Sequence, residues 1–251
     1  QESFLIGMVK DITQERRREE YLINYGARKD TLLDMVAQKL STPLNLTNFT
    51  MDLVEKAVKE QKFQRIEGHV QVIREVTSEC ITVINDLLIE EHLESRSIEP
   101  KINRFDIIDK TKVVLEGFMG MHPDRHFSLS SSWKHLFVGG DDLKYFQIVH
   151  NLLSNSIKFS RPGASINVGI IAGDDYVEVF IKDNGIGIPK SLQPRIFEKR
   201  TTASRPGLNG EEPNGIGLYV VRELTRLLRG ELTFTSEENV GSEFRIRFPK
   251  Y

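Results

Sequence analysis

The stretch His150-Asn151-Leu152-Leu153-Ser154-Asn155-Ser156-Ile157-Lys158-Phe159 decides how the second half of this chain is read. It lies within residues 143–160, where apolar positions recur at helical spacing. Asn151 and Asn155 are four apart, so both side chains leave one face of that helix. An amide oxygen is a hard, neutral ligand suited to Mg²⁺, an ion that also keeps water and phosphate oxygens around it. Lys158 stands one turn beyond Asn155, where its point charge can meet phosphate. Taken alone, two asparagines on a helix are ordinary polar surface.

Two glycine segments change that reading. Asp183-Asn184-Gly185-Ile186-Gly187-Ile188-Pro189 follows directly on a strand expected at 177–182. Glycines there let backbone pass close to a ligand. A buried carboxylate such as Asp183 can accept a hydrogen bond from the exocyclic amine of adenine. By itself, Asp-Asn-Gly is also good material for a tight turn. Further on, Gly215-Ile216-Gly217-Leu218 opens an apolar helix expected at 218–228, and the unpaired amides of a helix N-terminus attract anions. Residues 200–214 between them are rich in Gly, Pro, Thr, Ser and Asn, which suits a lid over a nucleotide or a solvent loop.

Working outward, strands are expected at 127–130, 135–138, 165–171, 177–182, 231–235 and 244–248, and helices at 108–118, 143–160 and 218–228. This mixed order predicts a layered α/β sandwich rather than a doubly wound sheet. Upstream the pattern is different. From Gln14 to about Lys59 there are almost no breakers, and Leu33, Val36, Leu40, Leu44, Met51, Val54 and Val58 form one apolar stripe. Pro43 removes one amide donor and predicts a local bend. After a polar turn at Glu60-Gln61-Lys62, a second helix is expected from Phe63 to about Glu94. Its two apolar series are Ile66, Ile73, Cys80 and Leu87, and His69, Val76 and Val83. Such a hairpin cannot bury both faces alone, so pairing with a second copy into a four-helix bundle is expected. The fold class is thus α+β, with a helical hairpin at 14–98 and a sandwich at 100–251.

The first 13 residues read as a short strand, Phe4 to Lys10, closing on Asp11-Ile12-Thr13, or as a linker with some β-propensity. Asp11 or Thr13 can cap the helix that follows. The chain opens on Gln1 rather than Met, which suggests a piece of something longer. At 39% hydrophobic and 28% charged, with a net charge of -2, it is an ordinary globular composition without the basic excess of a nucleic-acid binder. No apolar run is long enough to span a bilayer. The lone Cys80 suits a reduced, cytoplasmic setting.

In order and context, the three segments resemble the ATP-binding domain of sensor histidine kinases. Its Bergerat fold is shared with gyrase-type, MutL-type and Hsp90-type ATPases. The asparagine box of that family resembles Asn151 through Phe159, and its first glycine box Asp183 through Gly187. Its phenylalanine box looks like Ile196-Phe197-Glu198-Lys199, its second glycine box like Gly215 through Leu218, and its closing glycine turn like Gly241-Ser242-Glu243-Phe244. The resemblance implies ATP and Mg²⁺ as cofactors. Asn151 and Asn155 would hold the metal, and Lys158, Phe159, Asp183, Gly185, Gly187, Ile188, Phe197, Gly215, Gly217 and Leu218 the nucleotide. It also implies a homodimer through the hairpin, with autophosphorylation on histidine and transfer to a response regulator receiver domain. The Asp-Ile-Thr strand resembles the end of a PAS sensor domain, which implies an upstream sensor. Pro213 departs from the glycine that the family often carries two residues before Gly215.

A larger departure lies on the first helix. The family's acceptor box resembles Ser-His-Glu-Leu-Arg-Thr-Pro-Leu, whereas this chain reads Ala37-Gln38-Lys39-Leu40-Ser41-Thr42-Pro43-Leu44. Gln38 stands where the resemblance puts the phosphate-accepting histidine, and Lys39 where it puts the acid. An amide delocalises its nitrogen lone pair into the carbonyl, so Gln38 is no substitute for imidazole as a nucleophile. Lys39 removes the carboxylate that would orient or deprotonate the acceptor. Thr42 occupies the place where the resemblance puts the residue that positions water for dephosphorylation, a role that in the family also uses the acid replaced here by Lys39. None of the six histidines stands in for the acceptor by position. Two functions are therefore open. One is a histidine kinase with a degenerate acceptor, which phosphorylates a His-containing partner chain or hydrolyses ATP slowly; the other is a nonenzymatic pseudokinase signalling through ATP binding and dimer conformation. A third, a chaperone-like or DNA-repair-like ATPase of the same superfamily, is disfavoured by the hairpin.

Overall fold

The computed structural model describes residues 13–74, 76, 77, 80, 84, 100–199, 205–208 and 215–250. The expected strand at 4–10, the end of the second helix, most of the lid and Pro213 lie outside these. The chain divides into two compact units, Gln1–Leu87 and Leu88–Tyr251.

In the first unit, helix α1 runs Thr13–Lys59 without interruption at Pro43. At 1.5 Å per residue it is about 70 Å long. It ends where Gln61 takes a left-handed φ of 56° and Lys62 N–H bonds to Ala57 O at 2.8 Å, a turn usually given to glycine. A 3₁₀ turn, Phe63–Arg65, leads into α2, helical over 66–74. The expected second helix therefore begins with one tight turn. The sequence stripe is buried only in part, with Val36, Leu40 and Val54 half-buried. Leu33, Leu44, Met51 and Val58 are about half exposed, whereas Thr50, Ala57, Val76 and Cys80 are buried. The buried positions on this part of α1, Thr50 and Ala57, thus stand one residue before Met51 and Val58.

The second unit opens with a small antiparallel ribbon. Strand β1 (Asn103–Asp106) pairs with β3 (Phe137–Gly140). Sequence reading misses β1 and starts β3 two residues early. The reason is local: Asp106 bonds the Leu136 N–H (3.1 Å) and His135 Nδ1 (2.7 Å), so these residues form a corner before the strand. Asp106 also caps helix α3 (Ile107–Met121) by accepting from the Ile108 N–H at 3.0 Å.

The main sheet has the order β2-β4-β5-β7-β6. Its strands are β2 (His126–Ser131), β4 (Ser165–Ala172), β5 (Tyr176–Asp183), β6 (Glu231–Glu237) and β7 (Gly241–Pro249). Only β2–β4 is parallel. Alternation on β5 turns Val177, Val179 and Ile181 into the core, where they join Ile166, Val168 and Ile170 of β4 and Ile246 of β7. The helix layer consists of α3, α4 (Asp142–Lys158) and α5 (Gly217–Leu227). Tyr145, Ile148, Val149, Leu152 and Leu153 form the buried stripe of α4. Asp141 starts α4 by accepting from the N–H groups of Leu143 and Lys144 at 3.2 and 3.1 Å. The result is a mixed α/β sandwich, as expected, with α4 fixed against the sheet on one side and free to present polar residues on another.

Candidate nucleotide site

Helix α4 carries both asparagines towards its C-terminal end. Asn151 is buried. Asn155 Nδ2 is buried and has no hydrogen-bond partner among the described residues, an arrangement that costs free energy unless something else supplies the bond. A half-turn of the amide would put Oδ1, the atom a cation needs, in the same place. A Cβ at Gly217 would lie 3.9 Å from Asn155 Nδ2, so this unpartnered amide faces the start of α5. No side chain caps that helix at Ile216, and Gly215 reaches it through a left-handed φ of 64°. Leu218 follows in the first turn of α5, half-buried. An orphaned amide beside an uncapped helix N-terminus suits a metal-bound polyphosphate.

The other end of the site is built on Phe159, the C-cap of α4. Its carbonyl accepts the Ile186 N–H at 2.9 Å. Gly185 lies so close that a Cβ there would be 2.3 Å from Phe159 O. Gly187, at φ 61°, leaves equally little room: a Cβ would meet Glu237 O at 2.0 Å. Both glycines of this loop are therefore required by close backbone approach, the first to α4 and the second to the β6–β7 turn. Ile188 is held by its N–H to Ser236 Oγ at 2.8 Å, and its carbonyl accepts from Gln193 Nε2 at 2.8 Å.

Asp183 ends β5 and is buried beneath this loop. Its Oδ1 accepts from the N–H groups of Gly185 (3.0 Å) and Ser242 (3.2 Å), and its Oδ2 from the Ser156 hydroxyl (3.2 Å). Burial pushes its carboxyl above the usual carboxylate range, and these three neutral donors do not reverse the shift. Oδ2 keeps acceptor capacity for a further donor.

The structure brings Asn155 to Gly217 at the start of α5, and Phe159 to Asp183 and Gly185 at the end of β5, with Gly187 and Ile188 in the same loop. Asn151 and Lys158 lie on α4, and Gly215 and Leu218 flank Gly217 along the chain. Phe197 is engaged on the sheet, meeting Phe234 of β6 edge-on at 5.6 Å. Thr42 lies exposed on α1 in the other unit, and the side chains of Gln38 and Lys39 fall outside the described ones. Sequence reading missed Ser156, Ser236, Gln193 and Arg205, whose Nη2 donates to Gly187 O at 2.9 Å. Ser156 had a signal, being a polar residue on the buried stripe of α4. Arg205 had none, since its partners are far away in sequence.

Comparison with known proteins gives this geometry a setting. Residues 140–251 match the model of the histidine kinase-, DNA gyrase B- and HSP90-like ATPases. The chain thus carries a domain of that ATPase type, and the relatives it matches are sensor histidine kinases. It is 23% identical to the sensor histidine kinase TmoS of Ectopseudomonas mendocina, over 98% of this chain and 27% of that protein. It is 26% identical to the histidine protein kinase DivJ of Caulobacter vibrioides, over 98% of this chain and 42% of that protein. The chain therefore spans about a quarter to two fifths of these relatives. Among solved structures, full-length ShkA in complex with AMPPNP has a TM-score of 0.58 at 20% identity, covering 88% of this chain and 46% of that one. The catalytic domain of ThkA has a TM-score of 0.53 at 22% identity, covering 60% of this chain and 98% of that one. At these identities the likeness to solved structures is one of fold. The catalytic domain is an ATP-binding α/β sandwich. Among the described residues, no helix is long and apolar enough to cross a membrane.

Proposed function

We propose that this chain is the dimerising core of a sensor kinase that binds Mg·ATP between α4 and α5, and whose phosphoryl acceptor is a histidine on another chain. The observation that carries it is the buried, unpartnered Asn155 amide beside the uncapped start of α5, with Asp183 held only by neutral donors. Asn155, with Asn151 one turn before it, would hold the magnesium ion, which neutralises charge on the triphosphate when bound. Lys158 adds a point charge beside it. Asp183 would accept from the exocyclic amine of adenine through Oδ2, and the loop from Gly185 to Ile188 would lie along the base.

The acceptor follows from the sequence of α1. An amide at Gln38 cannot form a phosphoramidate, and Lys39 supplies no base. Phosphoryl transfer then requires a His-containing partner, and a receiver domain downstream of it. The half-exposed Leu33, Leu44, Met51 and Val58 support a dimer, since a single copy leaves them in water. The reading takes the hairpin as 14–98 and the catalytic domain as 100–251. It includes an upstream sensor and a cytoplasmic setting.

Incubation with γ-labelled ATP tests it. Label is expected in a His-bearing partner hairpin and not in this chain. Restoring Gln38→His together with Lys39→Glu should bring at least weak labelling of this chain itself. Failure of a folded, ATP-binding double variant to take label would count against competent transfer machinery. Gln38 and Lys39 also favour a second reading, a nonenzymatic switch. That reading expects saturable ATP binding with neither ADP formation nor label in any partner.

A further inference from the structure

Arg205 belongs to the stretch that composition alone leaves as lid or solvent loop, and residues 205–208 of it are described. Arg205 Nη2 donates to Gly187 O at 2.9 Å, and its guanidinium carbon lies over the Phe159 ring, 5.4 Å from the centroid. The Leu208 N–H bonds to Lys158 O at 2.9 Å, so the segment is tied to the end of α4 at two points. Arg205 is half-buried, and burial pushes its guanidinium below the ordinary arginine value, with Glu238 opposing the shift. An aromatic face and a carbonyl are the partners that offset its lost hydration.

Phe159 and Gly187 form two walls of the base end of the proposed nucleotide site. They come from separate elements, α4 and the loop after β5. Arg205 touches both. The unpartnered Asn155 amide and the start of α5, where phosphate is expected, involve neither of its contacts. We propose that Arg205 is a positioning residue for the purine: it clamps the Phe159 ring to the Gly187 loop, so that the base pocket is formed before nucleotide arrives. This rests on the nucleotide reading above and assigns a cation of the lid to the base rather than to the phosphates.

The test titrates adenosine, ADP and Mg·ATP into the full chain by calorimetry. Arg205→Ala should weaken all three by about fivefold, in equal proportion, because the lost contact sits at the base. Arg205→Lys keeps the charge without the planar fork and should weaken all three by about twofold. In a Phe159→Leu background, Arg205→Ala should cost less than about twofold, since the arginine acts through the ring. A loss that grows from adenosine to ATP would assign Arg205 to the phosphates and overturn the proposal. Tighter binding by Arg205→Ala would show that it occupies the place of the base, and unchanged binding would show that it positions nothing. Should the native chain bind none of the three ligands, the nucleotide reading fails and takes this inference with it. Native binding with an indifferent Arg205→Ala removes the inference alone.

Discussion

Strand β5 carries two carboxylates five residues apart, Glu178 and Asp183, both less than 10% exposed. Their surroundings are opposite. Glu178 accepts from Arg245 Nη1 at 2.6 Å and Arg247 Nη2 at 3.0 Å. Partial burial pushes its carboxyl up, but the two guanidiniums outweigh burial and hold it below its ordinary value. Asp183 receives two amides and a hydroxyl, and burial wins. A carboxylate that is part of the architecture is thus neutralised by cations of its own sheet. Asp183, which the proposed function gives to a ligand, is oriented by neutral donors, and Oδ2 keeps spare acceptor capacity. The difference separates the two faces of β5: Asp183 shares the face of Val177, Val179 and Ile181 and meets Ser156 of α4, whereas Glu178 lies on the opposite face with Arg245 and Arg247.

The strongest way to break that contrast is to close the gap beside Asp183. Gly185→Ala would place a Cβ 2.3 Å from Phe159 O and 3.0 Å from Asp183 Oδ1, against backbone that has no room to yield. It is expected to cost about 3 kcal/mol of stability and to abolish saturable ATP binding, read by urea denaturation and calorimetry. Next in size is Asp183→Asn. Its amide oxygen can still accept from Gly185 and Ser242 and its NH₂ can donate to Ser156 Oγ, but that NH₂ would then oppose an incoming amine. Affinity for ATP should fall about 30-fold, near 2 kcal/mol, with the fold intact. An Asp183→Asn protein that binds ATP normally would remove the distinction between the two carboxylates. Glu178→Gln should do the reverse, leaving ATP affinity unchanged. It should lower Tm by about 3 °C, with an effect that shrinks in high salt because both arginines are partly exposed.

Most of the sandwich was legible because its signals are local. The Ile166–Val168–Ile170 and Val177–Val179–Ile181 alternations and the α4 stripe lie within single elements. The asparagine and glycine segments were legible for the same reason. What escaped depended on contacts between distant residues. Strand β1 is four residues long and exists because Gly140 to Phe137 pair with it. The corner at His135 and Leu136 needs Asp106, about thirty residues earlier. Arg205 gains its partners from Gly187 and Phe159, and Phe197 is drawn to Phe234 on β6 rather than to the amides of α4. On α1, periodicity found an apolar stripe but could not tell the face buried within one chain from a face left for another.

The smallest expected effect is also the sharpest form of the comparison, because it concerns sign rather than size. Asp183 holds its proton to higher pH in the folded state than in the unfolded chain, where the ordinary value is 3.8. Its contribution to stability is therefore complete below that value and is lost as pH rises through the folded pKa. Glu178 titrates below its ordinary 4.5 when folded, so its contribution is present above that value and is lost as pH falls through the folded pKa. Thermal melts of the native chain, Asp183→Asn and Glu178→Gln between about pH 4 and pH 7 separate the two. As pH rises, Asp183→Asn should gain on the native chain while Glu178→Gln falls behind it. Parallel slopes would mean that the donors around Asp183 stabilise its charge as well as the arginines stabilise that of Glu178. A carboxylate so well satisfied would have no reason to await an amine.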